Sequence, residues 1–145
     1  MIALLQRVNW ARIRIDDLTH ASIEKGLLVF VGVEANDTQA KAEKLLAKLL
    51  AYRVFADAED RMNLNIKEIG GDLLLVSQFT LAADTNKGLR PGFSSAMPPA
   101  AAESVYDHLI AAATQQHDSV QSGKFAADMQ IELENDGPVT FILRN

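Results

Sequence analysis

The order of apolar patterns along this chain predicts a single α+β domain with a mixed, mostly antiparallel sheet and two main helices. Three observations carry that expectation. Period-two alternation near both ends of the chain marks strands. Two segments, 42–50 and 102–113, repeat apolar residues at helical spacing. Two continuously apolar runs, 27–31 and 73–76, read as strands buried on both faces.

Taken in order, Ala11, Ile13 and Ile15 alternate with Arg12 and Arg14, which predicts a first strand. Asp16-Asp17-Leu18-Thr19-His20 reads as a turn, and residues 21–24 as the returning strand. After the buried run 27–31, Asp37 or Thr38 is placed to cap a helix. Its apolar face is Ala42, Leu45, Leu46, Leu49 and Leu50, with Lys41, Glu43, Lys44 and Lys48 elsewhere on the cylinder. Residues 55–71 read mostly as loop, with a short strand near Leu64. Residues 82–97 hold Gly88, Pro91 and Gly92 and read as a long ordered loop, a class of segment that is often functional. Pro99 suits the first turn of the second helix, whose stripe is Ala102, Val105, Tyr106, Leu109, Ile110 and Ala113. The C-terminal segment has a hairpin pattern. Met129, Ile131 and Leu133 alternate with polar residues, Asn135-Asp136-Gly137-Pro138 follows, and Val139, Phe141 and Leu143 alternate again. No repeat, linker or low-complexity tract divides the chain, so one domain is expected over residues 1–145.

Composition narrows the function classes. The chain has 145 residues, 48% of them hydrophobic. A chain of this size can bury ~70% of its unfolded surface and needs no covalent staple. It contains no cysteine, which excludes disulfides, thiol nucleophiles and cysteine metal sites. No apolar run approaches the ~18 residues of a membrane span, and the first residues lack a basic leader. A cytoplasmic location with no membrane partner is the expectation. The net charge of −5 argues against broad binding to nucleic-acid backbone. It leaves room for a grip on one end of a nucleic acid through local contacts. Arg7, Arg12 and Arg14 read, on composition, as a solvated strand face.

Two segments stand out as candidate chemistry. Ser77-Gln78-Phe79-Thr80 ends an apolar strand with polar groups, which either satisfy strand-end backbone or sit in a site mouth. Asp136-Gly137 suits an ordinary hairpin turn, but Pro138 directly after it does not, because proline gives no N–H to a ladder. Lys87 and Arg90, in Lys87-Gly88-Leu89-Arg90-Pro91-Gly92-Phe93, belong to a turn-rich loop or to a wall that meets an anionic ligand. His20, His108 and His117 have no partner at metal-ligand spacing. Ser77 is outside any G-x-S-x-G elbow, and no G-x-x-x-x-G-K-[ST] phosphate loop is present.

Ser77-Gln78-Phe79-Thr80-Leu81 and Asn135-Asp136-Gly137-Pro138-Val139-Thr140 together resemble the D-aminoacyl-tRNA deacylases, formerly called D-tyrosyl-tRNA deacylases. Gln6-Arg7-Val8, Met62-Asn63-Leu64, Gly88-Leu89-Arg90-Pro91 and residues 125–133 extend the resemblance over nearly the whole chain. It departs at Ser122 and Ala126, where the family more often has Thr and Gly. The resemblance implies hydrolysis of the ester between a D-amino acid, or mischarged glycine, and the terminal adenosine of tRNA, with no DNA partner. It implies a homodimer, barrel-like on assembly, with no cofactor and no metal. Ser77, Gln78, Phe79 and Thr80 would form the catalytic segment, with Phe79 and Thr80 N–H groups as an oxyanion hole. The adenosine 2′-OH would help activate water. A Thr80 nucleophile ranks second, because the sequence offers no base to activate it. Gly137-Pro138, with the bond cis, would enter the partner's site and exclude L side chains. Arg7 would support the Gly-Pro conformation by binding nearby backbone carbonyls, and Met129 would support the site. Two other readings stay open: a binding module for the tRNA end, and a serine hydrolase using Ser77 with a distant histidine.

Overall fold

The longest strands, at the two ends of the chain, organise the molecule. In the computed structural model, which describes residues 1–86 and 88–144, β1 (Ile2–Ile15) is paired on both edges. One edge carries β2 (Leu18–Ile23) and β3 (Gly26–Gly32) in tandem, with Ala11 opposite Ile23 and Leu5 opposite Val29. Helix α1 (Gln39–Ala51) follows, then the small hairpin β4 (Phe55–Ala56) and β5 (Met62–Leu64). Next come β6 (Asp72–Ser77), a 3-10 turn (Phe79–Ala82), α2 (Pro99–Gln116), β7 (Val120–Ser122) and β8 (Gln130–Arg144). The β3–β6 and β6–β7 pairs are parallel and the other pairs antiparallel, so the expected mixed sheet with two helices is present.

Three expectations need correction. The first strand begins at Ile2, not near Ala11. Its first residues are apolar on both faces, so no alternation marked them. The C-terminal segment is no hairpin. Its two halves do not pair with each other; β8 runs antiparallel to β1 from Gln130 opposite Arg14 to Arg144 opposite Ile2. The Gly-Pro step is a bulge in that strand: Asn135 faces Val8 and Thr140 faces Gln6, so residues 136–139 face Arg7 alone. Third, the turn after β1 is confined to Asp16-Asp17, both at positive φ, and His20 is an exposed strand residue.

Two cores follow from the pleat. On one face, Leu5, Leu27, Val29, Leu73 and Leu75 pack against the helices. On the other, Val8, Ala11, Ile13, Leu28, Leu74 and Val76 are buried against one another and against Ile131 and Leu133. The second core joins the outer half of β1 to the middle of β6. The sheet therefore curls over itself, which the irregular registers of β1 and β8 between Gln6 and Trp10 permit. Thr38, not Asp37, caps α1: its Oγ1 accepts from the Lys41 N–H at 3.3 Å. Asp37 is instead buried, accepting from the Met1 ammonium at 2.7 Å and the Glu34 N–H at 2.7 Å.

Leu46 is 1% exposed beneath α1, whereas Leu89 is fully exposed. Leu46→Ala should cost about 2–5 kcal/mol in urea denaturation. Leu89→Ala should stay within about 0.5 kcal/mol of the parent.

Candidate active site

Strand β6 delivers the first motif. Its register with β3 sets Ser77 beside Val31, and the Gln78 N–H donates to the Val31 carbonyl at 2.7 Å. The chain then tightens into the 3-10 turn, where the Leu81 N–H donates to the Gln78 carbonyl at 3.2 Å. The Phe79 and Thr80 N–H groups lead that turn and lack a partner within it. Gly32 makes the close packing possible: a Cβ there would lie 2.8 Å from Leu81 Cβ and 3.2 Å from the Gln78 oxygen. Gln78 Nε2 donates to Thr80 Oγ1 at 2.6 Å. The threonine oxygen thus faces an amide donor rather than a base.

A cavity of roughly 800 Å³ opens beside this turn. Ser77, Gln78 and Phe79 form one wall, residues 93–94 and 96–99 a second, and residues 125–129 with Ile131 a third. Phe79 is exposed, and its ring stands 5.0 Å from that of Phe93 at 50°. The walls share an anchor at the Leu75 carbonyl, which accepts from Tyr106 Oη at 2.9 Å and from the Gly123 N–H at 2.8 Å. Burial raises the Tyr106 pKa above its usual value, so the phenol remains a neutral donor. Gly123 is where Met129 closes in, since a Cβ would lie 2.8 Å from Met129 Sδ. Among the described residues, Asp128 is the sole ionisable one lining the cavity.

The second motif lies elsewhere. Arg7 Nε donates to the Asp136 carbonyl at 3.1 Å, and Nη1 donates to the Val54 carbonyl at 2.6 Å. Nε is also 3.1 Å from Asp136 Oδ2. The Arg7 side chain is only 13% exposed, so the reading of a solvated arginine face fails for it. That reading holds for Arg12, whereas Arg14 is half-buried and pairs with Glu132 at 3.1 Å. Held by Arg7, the exposed Gly137-Pro138 step projects from β8, with its peptide bond cis. Gly137 has φ 129°, and a Cβ would meet Val139 Cγ2 at 2.8 Å. Gly137 and Pro138 do not line the cavity. Ser77 lies four residues along the strands from the Arg7 level and three strands across from β8, a path of roughly 20 Å along the sheet.

The fold therefore gathers Ser77, Gln78, Phe79 and Met129 at one cavity, with Thr80 beside Gln78, and leaves Arg7, Gly137 and Pro138 apart from them. Phe93 and the wall at 125–128 were not singled out as site residues; an aromatic in a Gly- and Pro-rich loop was the available signal. Lys87 lies outside the described residues. Arg90 is exposed in a loop closed by paired Asp84–Gly92 backbone bonds of 2.8 and 2.9 Å. No histidine lines the cavity. His117 is buried against the Gly71 carbonyl at 2.7 Å and His108 meets Glu43 at 2.8 Å. Among the described residues, no three His, Cys, Asp or Glu side chains are grouped to hold a metal, and no helix is long and apolar enough to cross a membrane.

A family model described as D-Tyr-tRNA(Tyr) deacylase matches residues 4–144. The chain belongs to the D-Tyr-tRNA(Tyr) deacylase family. A D-aminoacyl-tRNA deacylase of Pseudomonas fluorescens (strain Pf0-1) is 58% identical over 144 residues, covering 99% of each chain. One from Stutzerimonas stutzeri (strain A1501) is 58% identical over 145 residues, covering 100% of each. Among solved structures, the c-Myc DNA Unwinding Element Binding Protein superposes with a TM-score of 0.96 at 34% identity, covering 100% of this chain and 99% of its own. A probable eukaryotic D-amino acid tRNA deacylase, at TM-score 0.86 and 16% identity over 98% of this chain and 97% of its own, shares the fold.

Within this deacylase-family chain, Arg7→Met should lose the two carbonyl anchors and cost about 2–4 kcal/mol in urea denaturation. Arg7→Lys, keeping the charge without the fork, should fall between. Ala126 sits at φ 57°, a left-handed position that costs a residue with a Cβ about 1 kcal/mol. Ala126→Gly should therefore leave stability unchanged or raise it by up to ~1 kcal/mol, read from the same titration.

Proposed function

We propose that the chain hydrolyses the ester of D-aminoacyl-tRNA, and of glycine mischarged on tRNA, releasing tRNA and the free amino acid. One observation carries the mechanism. Ser77, Gln78 and Phe79, the residue that leads the 3-10 turn, line the cavity, and no histidine lines it to activate a nucleophile. An activated ester needs a positioned water and a stabilised oxyanion more than a strong nucleophile. The terminal adenosine enters the cavity between the apolar walls, with Phe79 and Phe93 as aromatic surface for the base. The ester carbonyl lies against the Phe79 and Thr80 N–H groups, which stabilise the charge developing on its oxygen. A donor so placed is worth about 3–4 kcal/mol of barrier. The substrate's own 2′-OH helps position the attacking water. No cofactor is needed for this chemistry.

The reading is completed by a second copy of the chain. Gly137-Pro138 projects, exposed, far from its own cavity, which supports its entry into the cavity of a partner in a homodimer. There the backbone of the bulge would stand against the α-carbon. An L side chain would strike it and a D side chain would point away, so many D-amino acids are accepted without reading their side chains. A serine hydrolase with a distant histidine has no support, because none of the three histidines lines the cavity. Release of amino acid separates the hydrolase from a module that only binds the tRNA end.

Purified protein should release D-tyrosine from tRNA faster than L-tyrosine by ~10³, equivalent to roughly 4 kcal/mol of discrimination. Equal rates on the two enantiomers would contradict the reading. Thr80→Ala should keep substantial activity, since Thr80 acts through its backbone. A loss approaching the whole rate enhancement with binding intact would restore the nucleophile assignment. Light scattering at micromolar concentration should give a dimer, and a fully active monomer would refute the shared site.

A further inference from the structure

The cavity takes a nucleoside and its ester, a small-molecule-sized load, and no more of a nucleic acid. The rest of a tRNA end, with one phosphate per nucleotide, must lie at the mouth. Among the described residues, the cavity lining holds no cation to meet that polyanion, and its one charge is the carboxylate of Asp128. The chain as a whole repels it, at a net charge of −5. Two cations stand where the walls reach the surface. Lys124 directly precedes Phe125 of the third wall, and Arg90 lies three residues before Phe93 of the second. Both are exposed, and neither side chain has a hydrogen-bond or ion-pair partner among the described residues.

Four other cations are already engaged. Arg7 and Arg14 are engaged in the sheet, and Lys41 and Lys48 bond at α1. Lys25 is exposed beside Gly26, at the end of β3 away from Val31 and the cavity.

Resting on the proposed deacylase reading, we infer that Lys124 and Arg90 are the phosphate contacts of this site, gripping the single-stranded acceptor end just outside the cavity. They hold the strand while the cavity takes its terminal nucleoside. Recognition divides accordingly: the cavity reads the nucleoside and ester, and the two cations read the backbone through charge alone. Contacts of this kind appear in the salt dependence, each phosphate neutralised on a single strand contributing about −0.7 to the slope of log K against log salt.

The test measures binding of uncharged tRNA by fluorescence anisotropy across a salt series, for the parent, Lys124→Ala/Arg90→Ala and the control Lys25→Ala. The double variant should bind at least tenfold more weakly at low salt, with a slope shallower by about 1.4. Lys25→Ala should match the parent. In parallel, hydrolysis of D-tyrosyl-tRNA should lose kcat/KM through KM with kcat preserved. Hydrolysis of D-tyrosyl-adenosine, which has no phosphate, should be unchanged. An unchanged slope in the double variant, or an equal loss on tRNA and on the adenosine ester, would overturn the assignment. Should the parent bind tRNA but hydrolyse neither ester, the deacylase reading fails while the binding series still decides the phosphate contacts.

Discussion

Everything in this molecule is referred to the antiparallel pairing of β1 and β8. Strand β8 lies against β1 from Arg144 to Gln130, so it covers one whole edge of the strand whose other edge carries β2, β3 and, beyond them, β6. The pairing is interrupted at one level, where residues 136–139 stand opposite Arg7 alone. An extruded loop in a sheet is ordinarily a place of missing backbone bonds. Here the Arg7 guanidinium substitutes for the ladder, donating to the Asp136 carbonyl on one side and the Val54 carbonyl on the other. The bulge is thereby fixed to the segment after α1 and held out from the sheet. The same irregular stretch lets the sheet curl, so that Ile13 and Ile131 come to pack near Val76. Curling is what brings residues 125–131 over the end of β6 to make a cavity.

The proposed chemistry is built from main chain. Gly32 admits the 3-10 turn close to β3, and Phe79 at the head of that turn lines the cavity. The Leu75 carbonyl, taking donors from Tyr106 and Gly123, ties three walls to one point. The Thr80 hydroxyl oxygen accepts from the Gln78 amide, a donor that cannot act as the base a hydroxyl needs to attack. On the bulge, Gly137 leaves the backbone bare. Backbone is a suitable material for recognising an α-carbon, because every amino acid has one and no side-chain contact is needed to find it.

The two helices and the buried strands β3 and β6 were legible in the sequence, since apolar spacing reports which faces are covered. The pattern failed where two structures share one period. Alternation on both sides of Asn135-Asp136-Gly137-Pro138 fits a hairpin as well as a single strand carrying a bulge, and only the partner strand, more than a hundred residues away, decides. The composition reading of Arg7 failed for the same reason: its partners are backbone carbonyls at Val54 and Asp136, which no local window contains, whereas the resemblance implied a grip on carbonyls near the Gly-Pro step. Ser77 to Thr80 stood out as polar groups ending an apolar strand, and the resemblance then gave that cluster a proposed role. Phe93 and the wall at 125–128 reach the site from a long loop and from the segment after β7, whose paths apolar spacing does not encode.

The central claim is that Ser77 to Thr80 and Gly137-Pro138 are remote within one chain and meet only between two. Subunit complementation tests it most directly. One variant keeps the bulge but fills the cavity, as Ser94→Trp does at an exposed lining position. The other keeps the cavity but blocks the bulge, as Gly137→Trp does. Each alone should be folded, dimeric and inactive on D-tyrosyl-tRNA. Unfolded together, mixed equally and refolded, they should regain roughly a quarter of the parent activity, because half the dimers are mixed and each holds one intact site. A mixture as inactive as its components, with mixed dimers demonstrated by mass, would contradict the account.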